Sequence, residues 1–281
     1  MTKRILMFAF AAVLTLAPVG QAFAQGQSKD ETAINDKNAA TGQALAMLVP
    51  QQCFSSGSTF TFLKICITNN GNISWFESPA GYVHLQTREG YAVCSSSGSV
   101  VHGYDVNIAA NGWGTPTIAH PNGAGTFPLI ITRQSLDGVI QLTQTFTRNT
   151  GERGVDVEID VKNMSLSALQ QVYVTRYFDG DIDNTSKNAY VQLYRSVWAR
   201  ATINGVTLTQ ATSNNVVSVG GVYDYAEWDP FGPLDQVARG CGGGHTANTG
   251  NVADFVGQLL SFFSNLNAGQ TKTITLQYRR F

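Results

Sequence analysis

Residues 155–162 set Val155, Val157, Ile159 and Val161 in strict alternation with Asp156, Glu158, Asp160 and Lys162. Period two places the branched side chains on one face of a strand and the charges on the other, whereas a helix would scatter both around its axis. Such a strand needs neighbours beside it and a second layer over its apolar face. The chain supplies candidates for both. Segments 64–68 and 73–76 flank Asn69-Asn70-Gly71-Asn72, and Asn-Gly between alternating runs is a strong hairpin signal. Further strands are expected at 82–86, 128–132, 139–147, 171–178, 190–200, 206–210 and 271–280, the last with Ile274, Leu276 and Tyr278 facing inward. Segment 252–266 reads either as a helix or as a buried strand pair. The fold class is all-β, a large antiparallel two-sheet sandwich.

The N-terminus sets the compartment. Lys3 and Arg4 precede an apolar run at 5–16, then Pro18, Gly20 and Ala22-Phe23-Ala24, the order of a secretory signal peptide cut after Ala24. The run is too short to span a bilayer, so membrane insertion is not expected. The expected product is a secreted or periplasmic protein with a polar tail at 25–52 and one domain at 53–281. In an oxidising compartment Cys53, Cys66, Cys94 and Cys241 read as two disulfides. The favoured pairing is Cys53 with Cys66, closing a local hairpin, and Cys94 with Cys241, tying the two ends of the domain. Charged residues are 13% of the 281 and the formal net charge is -1, which gives no reason to expect nucleic acid as a partner.

Three stretches resemble the galactose mutarotase-like supersandwich family. They are Ile65-Cys66-Ile67-Thr68-Asn69-Asn70-Gly71-Asn72-Ile73, then Tyr177-Phe178-Asp179, and the closing Leu266-Asn267-Ala268-Gly269-Gln270 to Tyr278-Arg279-Arg280-Phe281. The resemblance implies two large antiparallel sheets packed face to face. It also implies a catalytic His just before the Tyr-Phe segment, where this chain has Arg176. A guanidinium stays protonated and cannot act as a general acid of matched pKa, so epimerase chemistry does not carry over.

Two segments point toward sugar and calcium. Asp179-Gly180-Asp181-Ile182-Asp183-Asn184 spaces three carboxylates as in the opening of a calcium loop. Position 12 is Tyr190 rather than Glu, so the site is expected at a strand end, completed from elsewhere. The alternative is an Asp-rich turn capping its own backbone. Calcium is the one cofactor expected; no nucleotide or redox cofactor is. The second segment runs from Tyr223 through Tyr225, Glu227 and Trp228 to Phe231, joining aromatic faces to carboxylates as sugar binding requires. Its alternative is an ordinary sheet edge. Trp113, between Gly112 and Gly114, reads as a binding tip or as a plug for one end of the core. His102, His120 and His245 are placed in loops.

No GxSxG, HExxH or dinucleotide fingerprint is present. The first expectation is therefore a binding protein for a glycan or polysaccharide. A sugar-processing enzyme (epimerase, lyase or glycoside hydrolase) is the second, and a structural or adhesive surface protein the third. Oligomeric state is not legible.

Overall fold

The computed structural model describes residues 50–81, 83–84, 89–106, 109–149, 154–179, 188–193, 196–200, 205–210, 216–222, 252–253 and 256–280. Apart from two short 3-10 turns, the regular elements among them are strands. β1 (Gln51–Ser56), β2 (Leu63–Thr68), β3 (Ile73–Glu77) and β4 (Val83–His84) come first, followed by β5 (Glu89–Ser95), β6 (Val100–Val106) and β7 (Ala109–Asn111). Next are β8 (Thr117–Ala119), β9 (Leu129–Gln134), β10 (Ile140–Asn149), β11 (Gly154–Asn163) and β12 (Leu169–Asp179). The chain continues with β13 (Asn188–Leu193), β14 (Ser196–Arg200), β15 (Gly205–Gln210), β16 (Val216–Val222), β17 (Val252–Ala253), β18 (Val256–Leu266) and β19 (Thr271–Arg280).

These strands form three antiparallel sheets. A nine-stranded sheet runs β17-β13-β14-β15-β19-β11-β10-β9-β8, a six-stranded sheet runs β16-β18-β12-β5-β6-β7, and β1 to β4 make a four-stranded sheet in chain order. The alternating strand at 155–162 is β11, central in the largest sheet, with β10 on one side and β19 on the other. Val155, Val157, Ile159 and Val161 are buried and face Leu259, Phe263, Val172 and Val174 of the six-stranded sheet within one continuous core. Ile65, Ile67, Ile73 and Phe76 of the four-stranded sheet join the same core. The third sheet is an addition to the two layers that the sequence implies.

The ambiguous segment 252–266 resolves as strand, mostly the eleven-residue β18. Segment 190–200, expected as one strand, is a hairpin: β13 folds back on β14. β1 takes in Gln51 and Gln52, which the sequence assigns to the tail. Cys53 and Cys66 pair across β1 and β2 and are joined by a disulfide. Cys94 is disulfide-bonded as well, while its expected partner Cys241 lies outside the described residues. Among the described residues no helix is long and apolar enough to cross a membrane.

Candidate functional site

One end of the six-stranded sheet holds the two strand termini from which the segments singled out by the sequence continue. Val256, at the start of β18, is paired on one side with Asp179, the last residue of β12, and on the other with Val222, the last of β16. Two strand spacings separate Asp179 from Val222, about 10 Å. The Asp-rich stretch begins at one of these termini and the aromatic-acidic stretch follows directly on the other. Asp181, Asp183, Tyr223, Tyr225, Glu227 and Trp228 lie outside the described residues, as does the side chain of Asp179. Among the described residues no group of three His, Cys, Asp or Glu side chains converges as a metal site.

The outward face of the same sheet carries aromatic side chains. Val172, Val174 and Arg176 of β12 point into the sandwich, so the alternation turns half-buried Tyr173 and fully buried Thr175 to the other face of the sheet. Half-buried Tyr173 packs against Phe262 of β18 with ring centroids 5.0 Å apart. Tyr104 of β6 and Tyr173 pack on Ala92 and Cys94 at the centre of this face.

Trp113 is elsewhere. It bridges to Ser135, is 7% exposed, and lays its indole over Gly103 beside Tyr91 and the Arg133 guanidinium. Of its two sequence readings the structure realises the plug, because a ring buried in this way offers no face to a sugar. A Cβ on Gly103 would stand 2.6 Å from the indole, which is why that strand position is glycine.

Between the sheets lies a polar layer that the sequence does not announce. Arg176, 1% exposed, pairs with Glu89 on neighbouring β5 and donates to the Tyr278 hydroxyl (3.0 Å), the Gln144 side chain and the Gly71 carbonyl (3.0 Å). Glu89 also accepts from Tyr278 and from the Ile73 N–H, both at 2.6 Å. A second pair, Arg133 with Asp105, is completed by Tyr91 (3.0 Å), by Asn72 donating to Asp105, and by the Gly114 carbonyl (3.1 Å). Burial pushes the Asp105 carboxyl up to about 6, against the pull of Arg133 and Asn72. Burial likewise raises Glu89, with Arg176 opposing. Burial would loosen the Arg176 proton, but Glu89 and the tyrosines hold it more tightly than usual. Arg176, standing where the resemblance expects a catalytic His, thus faces the interior and serves packing. The signal was available: Arg176 continues the inward positions Val172 and Val174, and a charge there demands a buried partner.

His102 is not in a loop. It lies in β6, 4% exposed, with Nδ1 2.7 Å from Asp137 Oδ2 and Nε2 2.9 Å from Ser95 Oγ. This cluster sits at the other end of β5 from Glu89.

A scan of protein-family models and a search of curated proteins gave no match. Solved structures do resemble the chain. A bacterial glucoamylase complexed with acarbose matches at a TM-score of 0.58 with 7% identity, over 82% of this chain and 32% of that one. A putative aldose 1-epimerase from Escherichia coli K12 matches at 0.45 with 9% identity, over 82% of this chain and 99% of that one. A polysaccharide lyase matches at 0.39 with 12% identity, over 82% and 32%. The chain therefore spans about a third of the glucoamylase and of the lyase, and the two scores under 0.5 carry no argument. What the glucoamylase likeness shows is a shared fold, a large β-sandwich, with no activity following from it.

Proposed function

We propose that the protein is an exported carbohydrate-binding β-sandwich whose sugar site lies at the Asp179–Val222 end of the six-stranded sheet, with calcium held by Asp179, Asp181 and Asp183. The observation that carries this reading is the pairing of Val256 with both Asp179 and Val222. It brings the starts of the two segments within about 10 Å of each other, although they are over 40 residues apart in sequence. Tyr223, Tyr225 and Trp228 supply ring faces, and Glu227 accepts sugar hydroxyl hydrogens. The outward Tyr104, Tyr173 and Phe262 extend the aromatic surface along the same sheet. Sandwich likeness to a protein crystallised with acarbose agrees with this reading but does not carry it. A glycan array probed with the exported protein, with and without calcium and alongside a reducing-sugar assay, tests it. Binding that falls on chelation, without turnover, is the expected result. Turnover would favour the enzyme reading, and silence in both assays a structural role.

A further inference from the structure

At the end of β5 remote from that site, about 20 Å along the strand, three side chains from separate elements form a relay. Ser95 closes β5, His102 lies on β6, and Asp137 is in the turn between β9 and β10. Because His102 Nδ1 faces a carboxylate at 2.7 Å, it carries the proton, leaving Nε2 bare to accept from Ser95 Oγ at 2.9 Å. Asp137 is itself fixed, accepting from Ser135 Oγ and from the Val139 N–H at 2.9 Å. Although burial works against it, these bonds and His102 lower the Asp137 pKa, so the carboxylate stays ionised at neutral pH. Nucleophile, base and orienting acid in this sequence of contacts are recognised by geometry rather than by a motif.

The surroundings add a second observation. Directly after Ser95, Ser96 and Ser97 adopt φ of 53° and 58°, and Gln171, whose side chain accepts from Ser97, has φ 50°. Three of the four non-glycine residues with positive φ among those described thus cluster here. Strain of this kind costs of order 1–3 kcal/mol per residue and gathers at functional sites. Ser95, itself extended at φ -133° and ψ 178°, thus stands at the point where β5 gives way to a strained turn. Two exposed apolar side chains stand beside the cluster in sequence or register: Leu136, next to Asp137, is 73% exposed, and Val100, paired with Ser95, 43%. Ser95 itself is 3% exposed, beneath the exposed Ser96 and Ser97, so the strained turn must shift to admit a substrate.

We propose that Ser95, His102 and Asp137 form a second site, an activated serine that accepts the acyl group of small uncharged esters. Ser95 Oγ bonds to the ester carbonyl carbon as its proton passes to His102 Nε2. The carbon–oxygen bond to the alcohol breaks, and His102 returns that proton to the leaving alkoxide. Water, deprotonated by His102, then cleaves the acyl-serine to acid and free Ser95. Ester and water become acid and alcohol, with no other reactant.

The test is labelling of the full exported chain with a small fluorophosphonate, read by peptide mass spectrometry, together with p-nitrophenyl acetate turnover. The expected result is an adduct on Ser95 that is absent in Ser95→Ala and forms about 100-fold more slowly in His102→Gln. Asp137→Asn changes the most exposed member and so keeps the fold; it should slow labelling while leaving Tm nearly unchanged. No adduct on Ser95, or an adduct whose rate ignores both His102→Gln and Asp137→Asn, would overturn the proposal and leave the relay as a tie between two hairpins.

Discussion

Arg176 shows how a single inward charge organises its neighbourhood. Its donors reach Glu89, Tyr278, Gln144 and the Gly71 carbonyl, so one guanidinium joins β12 to β5, to the opposite sheet and to the β2–β3 turn. Removing one member of a buried pair strands the other, so Arg176→Met should lose about 3–5 kcal/mol in chemical denaturation. The double variant with Glu89→Leu should recover much of that loss, because no uncompensated charge remains. Asp105 carries a pH signature of its own. Its folded pKa, about 6, lies above the ordinary carboxylate value, so its contribution to stability is complete below about pH 4 and is lost as pH rises through about 6. Relative to Asp105→Asn, which cannot titrate there, the wild type should lose about 2 kcal/mol between pH 4 and pH 7. Parallel urea titrations of the two proteins at both pH values would measure it.

Among the elements, β11 and β19, which expose one face to water, were legible, and β5, buried on both, was not. β11 and β19 alternate cleanly because one side of each is wet. β5, Glu-Gly-Tyr-Ala-Val-Cys-Ser, is buried throughout and has no period to read, yet it carries Glu89, Tyr91 and Ser95. The hairpin of β2 and β3 was found from its Asn-Gly turn, but nothing local said that the turn docks onto Arg176 and Tyr91. β6 fits beneath Trp113 only through Gly103, where a Cβ would meet the indole at 2.6 Å. Gly103→Ala should therefore destabilise by about 1–3 kcal/mol, measured as a lowered denaturation midpoint with unchanged slope. Trimming the ring with Trp113→Leu in the same chain should relieve part of that strain.

For the molecule as a whole, the sandwich and the Cys53–Cys66 bridge were legible in the sequence. The nearness of Asp179 to Val222 was not, because it depends on β18 pairing with both β12 and β16, a long-range register that local pattern does not encode. The relay of Ser95, His102 and Asp137 was hidden for the same reason: three residue types common in turns become a constellation only when two hairpins meet. The sandwich thus has two polar ends, one where β12 and β16 finish at Asp179 and Val222, to which we assign the proposed sugar site, and one at the Ser95–His102–Asp137 relay. Amide hydrogen exchange with calcium and a bound oligosaccharide tests the assignment of the sugar end most directly. Slowed exchange in peptides spanning residues 177–184 and 219–231, with the Ser95–Val100 turn unchanged, is the expected result. Protection confined to the Ser95 end, or none at either end under saturating ligand, would contradict it.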